Sequence, residues 1–530
     1  MAFGTEDQLI LMGLLLAIAA LLVAAPALRV PYPIFLVLGG LALGFVPGMP
    51  SLELPPDVVL VAVLPPLLYS SAFFTSLRDL RANARPIGML AIGLVIATMT
   101  MVAVVTHEAV DHMSWSAAFV LGAIVSPTDP IAATSIMRRL GVPRRIVTIV
   151  EGEALVNDGM ALVLYRVAVT AAVSGAFSFW NATWHLVWSV VGGVGIGLIA
   201  GFLIAAVRRR LDNPPVEVTI ALMTGYLAFI PANAADASGV LAVVTAGIFL
   251  GWRTPELTSV QTRLQGVAVF EILVFVINAL LFALVGLQLS HILDVLTGHT
   301  AGSLMLYGLI VTAVVVGTRL VWAPAFKYLP YRLSRRRREG EVAAAFGQSI
   351  LVSWSGMRGA VSLAAALAIP LTTHAGAPFP QRDLIVFLTF CVILGTLVVQ
   401  GLTLPLVIRG FGIEADHLDE KEDAKARIKA ADAALARLEE LTGEEWVRED
   451  TAERLRGLYG FRRNRFASRF DQDDDGAIEE QSLSYQRLRR ELLEAERGAI
   501  VDLRRRGIIN SDVERRLQRD LDLEDARLDV

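Results

Sequence analysis

Along residues 1–410 the hydrophobic positions alternate with polar ones at neither the helical nor the strand period. They run together in stretches of 15–28 residues, separated by short breaks of charge, proline and glycine. About 20 mostly apolar residues carry a helix across the hydrocarbon core of a bilayer, and a helix apolar on every side is a buried or membrane-spanning one. Thirteen such runs are legible: 8–25, 33–47, 56–76, 86–106, 116–136, 146–173, 184–207, 216–232, 238–252, 266–289, 301–324, 343–370 and 383–409. The pattern predicts an all-α polytopic membrane domain over residues 1–410. From residue 411 to 530 the long apolar runs stop and the pattern is that of water-soluble helices.

Composition sharpens that division. The chain is 55% apolar and 18% charged, against roughly 45–50% and 25% for soluble domains. Residues 411–530 hold 31 acids and 23 bases, whereas residues 1–410 hold 20 acids and 24 bases. The net charge of −4 therefore divides into +4 for the membrane part and −8 for the tail. Alternating the thirteen runs across a membrane puts 20 of those 24 bases in the loops of one side and only Arg382 on the other. Basic loops stay in the cytoplasm, so the tail is expected inside and the N-terminus outside, in the cell membrane. Leu9–Ala25 has the apolar core of a signal peptide, but Glu6 and Asp7 stand where a basic n-region belongs, and it is read as a mature span. The one cysteine, Cys391, excludes an intrachain disulfide. The bases form loop clusters and no basic face, so there is no nucleic-acid signal.

Charges within the runs carry the candidate chemistry, because a charge at the bilayer centre costs on the order of 3 kcal/mol and usually faces a cavity. In Ser126-Pro127-Thr128-Asp129-Pro130 two prolines remove backbone donors in mid-span. Such a break is tolerated only where it lines protein or water. Its carbonyls and the Thr128 hydroxyl suit a hard cation, and Asp129 is placed to cap the following half-helix. In Glu151-Gly152-Glu153-Ala154-Leu155-Val156-Asn157-Asp158-Gly159, Asp158 has no base within a helical turn and stands beside the neutral amide of Asn157. A carboxylate so placed can hold a proton or a monovalent cation in turn. In Gly356-Met357-Arg358-Gly359 two glycines flank an intramembrane arginine and mark a second break. Arg358 needs an anion, and Glu153 is its expected partner. Arg319 reads as a snorkelling residue near a span end, and Arg166 and Glu271 as structural charges in pairs.

Two broken helices with ionisable residues at depth suggest an inverted-repeat secondary transporter. With Leu64-Pro65-Pro66-Leu67-Leu68 and Ser238-Gly239-Val240-Leu241-Ala242-Val243 added, the motifs resemble, in their joint order, the bacterial branch of the sodium/hydrogen exchanger family, the monovalent cation:proton antiporter-1 group. The resemblance implies a thirteen-span homodimer with crossing broken helices, in which a core half moves against a dimerisation half. It further implies that Asp158 is the ion- and proton-binding aspartate, Asn157 its electroneutral-type partner, Thr128 a sodium ligand, and Glu153 with Arg358 a buried salt bridge. The chain departs from many relatives at Ala154, Ser70 and Asn233, where side-chain oxygens or acids are frequent.

Exchange of sodium, possessing no cofactor motif and needing none, is the leading expectation, with potassium/proton exchange the alternative. An intramembrane aspartyl protease using Asp129 and Asp158 is remote, because no Gly-x-Gly-Asp segment occurs. In the tail, Ser511 with Glu514 reads as a capping box after a helix ended by Gly507. Asp471–Ile478 imitates the start of an EF-hand loop, but position twelve is Ser482 where a bidentate glutamate is needed; a solvated acidic loop is expected there.

Overall fold

The computed structural model describes residues 5–28, 31–46, 58–175, 179–295, 300–333, 339–413, 418–468, 477–526 and 528. They are helical, joined by short connections, with one isolated bridge between Thr372 and Pro378 and no strand among the described residues. The chain separates into two compact units, Met1–Ala415 and Asp416–Val530. The EF-hand-like stretch Asp471–Gly476 lies outside the described residues.

In lipid every backbone donor and acceptor must be satisfied within the protein, which leaves the helix as the solution for long apolar runs. The first unit consists of α1 (Thr5–Leu28), α2 (Tyr32–Gly44), α3 (Leu64–Phe74), the short α4 (Leu77–Ala82) and α5 (Ala84–Ala109). Then follow α6 (Trp115–Val125), α7 (Pro130–Arg139), α8 (Arg144–Ser174), α9 (Phe179–Arg208), α10 (Pro214–Ala234) and α11 (Gly239–Leu257). It closes with α12 (Val260–Val295), α13 (Ala301–Leu333), α14 (Glu339–Trp354), α15 (Ala360–Leu367) and α16 (Arg382–Gly410). Each of the thirteen apolar runs is occupied by helix, and two of them by a pair of half-helices, α6 with α7 and α14 with α15. Pro127 and Pro130 end one helix and start the next, Pro130 being the first residue of α7.

The apolar packing falls into two main clusters. The larger one joins α2, α5–α8 and α12–α16, with Val37, Leu121, Ile146, Phe282, Val311 and Leu388 among its buried members. The other joins α3 and α9–α11 through Tyr69, Ile204, Phe229 and Val243, and takes in Leu155 of α8. Outward-facing positions are equally apolar: Phe202 on α9 is 61% exposed and Met305 on α13 is 76% exposed. Large apolar side chains repeated over whole helix faces are untenable in water. This unit is a multi-pass membrane protein.

The second unit pairs α17 (Leu418–Leu441) with α18 (Glu449–Ser468), and α19 (Ala477–Arg505) with α20 (Ser511–Ala526). Arg456 donates to Glu439 at 2.8 Å and Arg463 to Asp432 at 2.6 Å across the first hairpin. Gly507, at φ +70°, closes α19 with its N–H on the Arg504 carbonyl. The capping expectation at α20 needs correction: the side chain of Asn510 accepts from Val513 N–H at 2.8 Å, so Asn510 is the cap and Ser511 is already helical. Glu514 turns away to Arg504 at 3.0 Å. An amide one residue earlier outcompetes the hydroxyl because Asn510 has the non-helical backbone a cap requires.

Candidate functional site at the crossing of two interrupted helices

The two breaks meet. The backbone N–H of Asp129, between α6 and α7, donates to the carbonyl of Met357, between α14 and α15, at 2.8 Å. The N–H of Arg358 donates to Thr396 Oγ1 at 3.1 Å, in a π-helical turn of α16 (Thr396–Gln400). Groups freed by each interruption are thus taken up by the opposite break or by a neighbouring helix, as a buried backbone demands.

Four half-helix ends converge here, and each charge sits at the end its sign favours. Asp129 Oδ1 accepts from Ile131 N–H at 3.0 Å and caps α7. Arg358 Nε donates to the carbonyl of Val125, the last residue of α6, at 3.0 Å, and its Nη1 to the Gly356 carbonyl. Arg319 Nε donates to the carbonyls of Val352 and Ser353, at the end of α14, at 3.2 and 3.0 Å. Both guanidiniums are 1% exposed.

The expected Glu153–Arg358 pair is not formed. Glu153 receives both terminal nitrogens of Arg319 in a bidentate pair, Nη2 lying 2.7 Å from Oε2. The reason is the length of α13. It runs to Leu333, so Arg319 is an interior residue with no interface to snorkel to. The glycines flanking Arg358 serve this packing. A Cβ on Gly356 would stand 2.8 Å from Arg319 Cζ, and one on Gly359 would stand 2.7 Å from Asp129 Cγ. Each glycine admits a charged side chain from another helix.

Asn157, 1% exposed, donates from Nδ2 to Thr128 Oγ1 at 2.8 Å, and Thr128 Oγ1 lies 3.5 Å from Glu153 Oε1. Thr128, Asn157, Glu153 and Arg319 therefore form one buried polar chain. It leaves Asn157 Oδ1 as a buried acceptor without a partner. Asp158 is 7% exposed and has neither a hydrogen bond nor an ion pair among the described residues. Asp129 is within Coulombic reach of it. Arg166 and Glu271 lie elsewhere: Arg166 donates to Asn233 Oδ1 at 2.9 Å, and Glu271 is exposed on α12. Arg319 is the residue sequence reasoning missed. Its signal was a permanent charge four residues before the proline-containing stretch Ala323-Pro324-Ala325, in a run that continues helical beyond it.

A helical membrane bundle with two interrupted helices crossed at buried carboxylates defines a secondary transporter. The chain belongs to the sodium/hydrogen exchanger family, whose transmembrane region matches residues 13–410. It is 37% identical over 531 residues to an uncharacterized Na(+)/H(+) exchanger of Mycobacterium tuberculosis, covering 99% of this chain and 97% of the relative. It is 31% identical to the low-affinity Na(+)/H(+) antiporter NhaS1 of Synechocystis, over 83% of this chain and 81% of that one. A sodium, potassium, lithium and rubidium/H(+) antiporter of Bacillus subtilis is 34% identical over 71% of this chain and 58% of its own length. Among solved structures, the sodium proton antiporter MjNhaP1 of Methanocaldococcus jannaschii shares the fold, with a TM-score of 0.60 at 19% identity over 77% of this chain and 99% of that one.

Proposed function

We propose that the chain exchanges sodium for a proton, electroneutrally and by alternating access, with the two ions competing for Asp158. The observation that carries this is the state of the carboxylates at the crossing. Glu153 is consumed by Arg319 and Asp129 by the α7 N-terminus, while Asp158 has no partner among the described residues. One carboxylate is neutralised by one proton or by one monovalent cation, so both loaded states carry the same charge. The unpaired Asn157 Oδ1 and the Thr128 hydroxyl are the neutral oxygens available to a hard cation beside it. Asp129 supports the site by fixing the break, and the Glu153–Arg319 pair holds the crossing together.

Family membership and the sodium named for each of these relatives support sodium over potassium as the cargo. The basic loops support an N-terminus outside, a cytoplasmic tail from residue 411 onward and a cell-membrane location. The exposed apolar faces of α9 and α13 support lipid and a second copy of the chain as partners.

Asp158→Asn keeps the shape of the side chain but can neither release a proton nor balance a cation. Reconstituted into proteoliposomes, this variant is expected to be folded and inactive in dye-reported sodium-driven proton efflux. Substantial exchange by the purified variant would sink the assignment.

A further inference from the structure

A cavity of about 220 Å³ opens between α8, α9, α10 and α11, beside the start of α3, and the crossing site does not use it. Its wall on α8 runs from Leu162 to Arg166, and α10 and α11 contribute Asn233 and Val240. Asp158, Leu162 and Arg166 are spaced at four residues, so they stand on one face of α8 at rises of about 6 Å each. Val240, which lines the cavity, also lies 3.5 Å from where a Cβ on Gly159 would sit. The cavity therefore ends on Leu162 and Val240, one helical turn from Asp158.

Arg166 is exposed at this cavity, and its charge is handled differently from those of the buried arginines Arg208, Arg319 and Arg358. Arg319 meets Glu153, and Arg208 lies 4.0 Å from Glu217. Arg358 sits on carbonyls at helix ends. Arg166 is tied only to a neutral amide, the Asn233 Oδ1 at 2.9 Å, with no carboxylate paired to it among the described residues. The amide fixes the guanidinium in place without cancelling its charge. The tie also joins α8, which packs mainly in the larger apolar cluster, to α10 in the other.

We propose that this cavity is the vestibule through which cations reach and leave Asp158 on the face opposite the basic loops, and that Arg166, held by Asn233, is a specificity-determining residue there: a fixed positive charge that weakens cation loading from that face. The proposal rests on Asp158 being the ion site. Arg166 stands about 12 Å from Asp158 along α8. The sided effect arises in the vestibule, where a cation passing about 6 Å from the guanidinium, at an effective dielectric of about 40, meets a repulsion worth roughly tenfold in loading from that face, and water reduces this to about threefold.

The test is sided sodium saturation in inside-out and right-side-out vesicles. Arg166→Gln removes the charge, and Asn233→Glu cancels it in place. Both are expected to lower the half-saturating sodium concentration on the Arg166 face by about three- to tenfold while leaving the other face unchanged. Arg166→Lys should behave like the parent, and choline chloride near 1 M should erase the difference by screening. An equal change on both faces, or no change on either, overturns the charge filter. The vestibule is tested separately by Leu162→Cys after Cys391→Ser, Cys391 being the only cysteine in the chain. A membrane-impermeant thiol reagent should label it from the Arg166 face alone, and absence of labelling overturns the access route. Repeating the labelling in an Asp158→Asn background keeps the two readings apart, since it reports the vestibule whether or not Asp158 carries the ion.

Discussion

Arg319 and Arg358 show how two identical side chains at one depth take different partners. Arg319 needs a carboxylate because it is aimed from the interior of α13 at the end of α14 and at Glu153, itself 1% exposed. Arg358 is satisfied by carbonyls of the interrupted backbone. Removing one partner of a buried ion pair typically costs about 3–5 kcal/mol, so Arg319→Ala should sharply lower the melting temperature in detergent. Arg319→Met combined with Glu153→Gln should recover part of that loss. Arg358→Met combined with Glu153→Gln should recover much less, because Arg358 makes no hydrogen bond or ion pair with Glu153 and the two share only a longer-range Coulombic interaction. Equal rescue by both arginines, followed by fluorescence-detected thermal unfolding, would contradict the pairing seen here.

For the helical elements, the decisive positions are the glycines at the crossing. A methyl on Gly359 enters the space of the Asp129 carboxylate, and one on Gly356 that of the Arg319 guanidinium. Overpacking of this kind costs about 1–3 kcal/mol. It also displaces groups that fix the breaks, so Gly359→Ala should lose most exchange activity while remaining in the membrane. Gly410→Ala, where nothing lies within 4 Å of the added carbon, should retain the parent rate in the same proteoliposome assay. In the tail, the hydrogen bond and charge of Arg456 hold the Glu439 carboxyl below the ordinary glutamate range. A depressed carboxylate stabilises the fold above its unfolded pKa of about 4.3 and loses that contribution as pH falls through its folded value. The α17–α18 hairpin should loosen below about pH 4, and less so in high salt, as followed by proteolysis of the purified chain.

At the scale of the whole molecule, the proposed sharing of one carboxylate, Asp158, would make cation and proton competitors. As pH falls, protons occupy Asp158 more of the time, and the half-saturating sodium concentration should rise. A clamped membrane potential should neither drive nor oppose turnover, because the two loaded states are equally charged. Steady currents on a solid-supported membrane would reveal a second titrating group, and Asp129, within Coulombic reach of Asp158, would be the first to examine by Asp129→Asn.

The membrane bundle, its thirteen runs and the positions of both breaks were legible in the sequence, because each depends on local chemistry: apolar length, proline without an N–H, glycine beside a buried charge. That Asp158, Asn157 and Asp129 are polar groups set within apolar runs was legible for the same reason. The partner of Glu153 was not. Arg319 and Arg358 are both intramembrane arginines, and choosing between them requires knowing that α13 extends to Leu333 and brings Arg319 to the end of α14. Nor could the sequence show that the two glycines beside Arg358 make room for Arg319 and Asp129, since the space they leave is filled by side chains of other helices. The cap of α20 by Asn510 was likewise decided by backbone conformation. Burial and breaks are written into local composition, while ion pairing across helices is set by which elements cross, and only the packed bundle determines that.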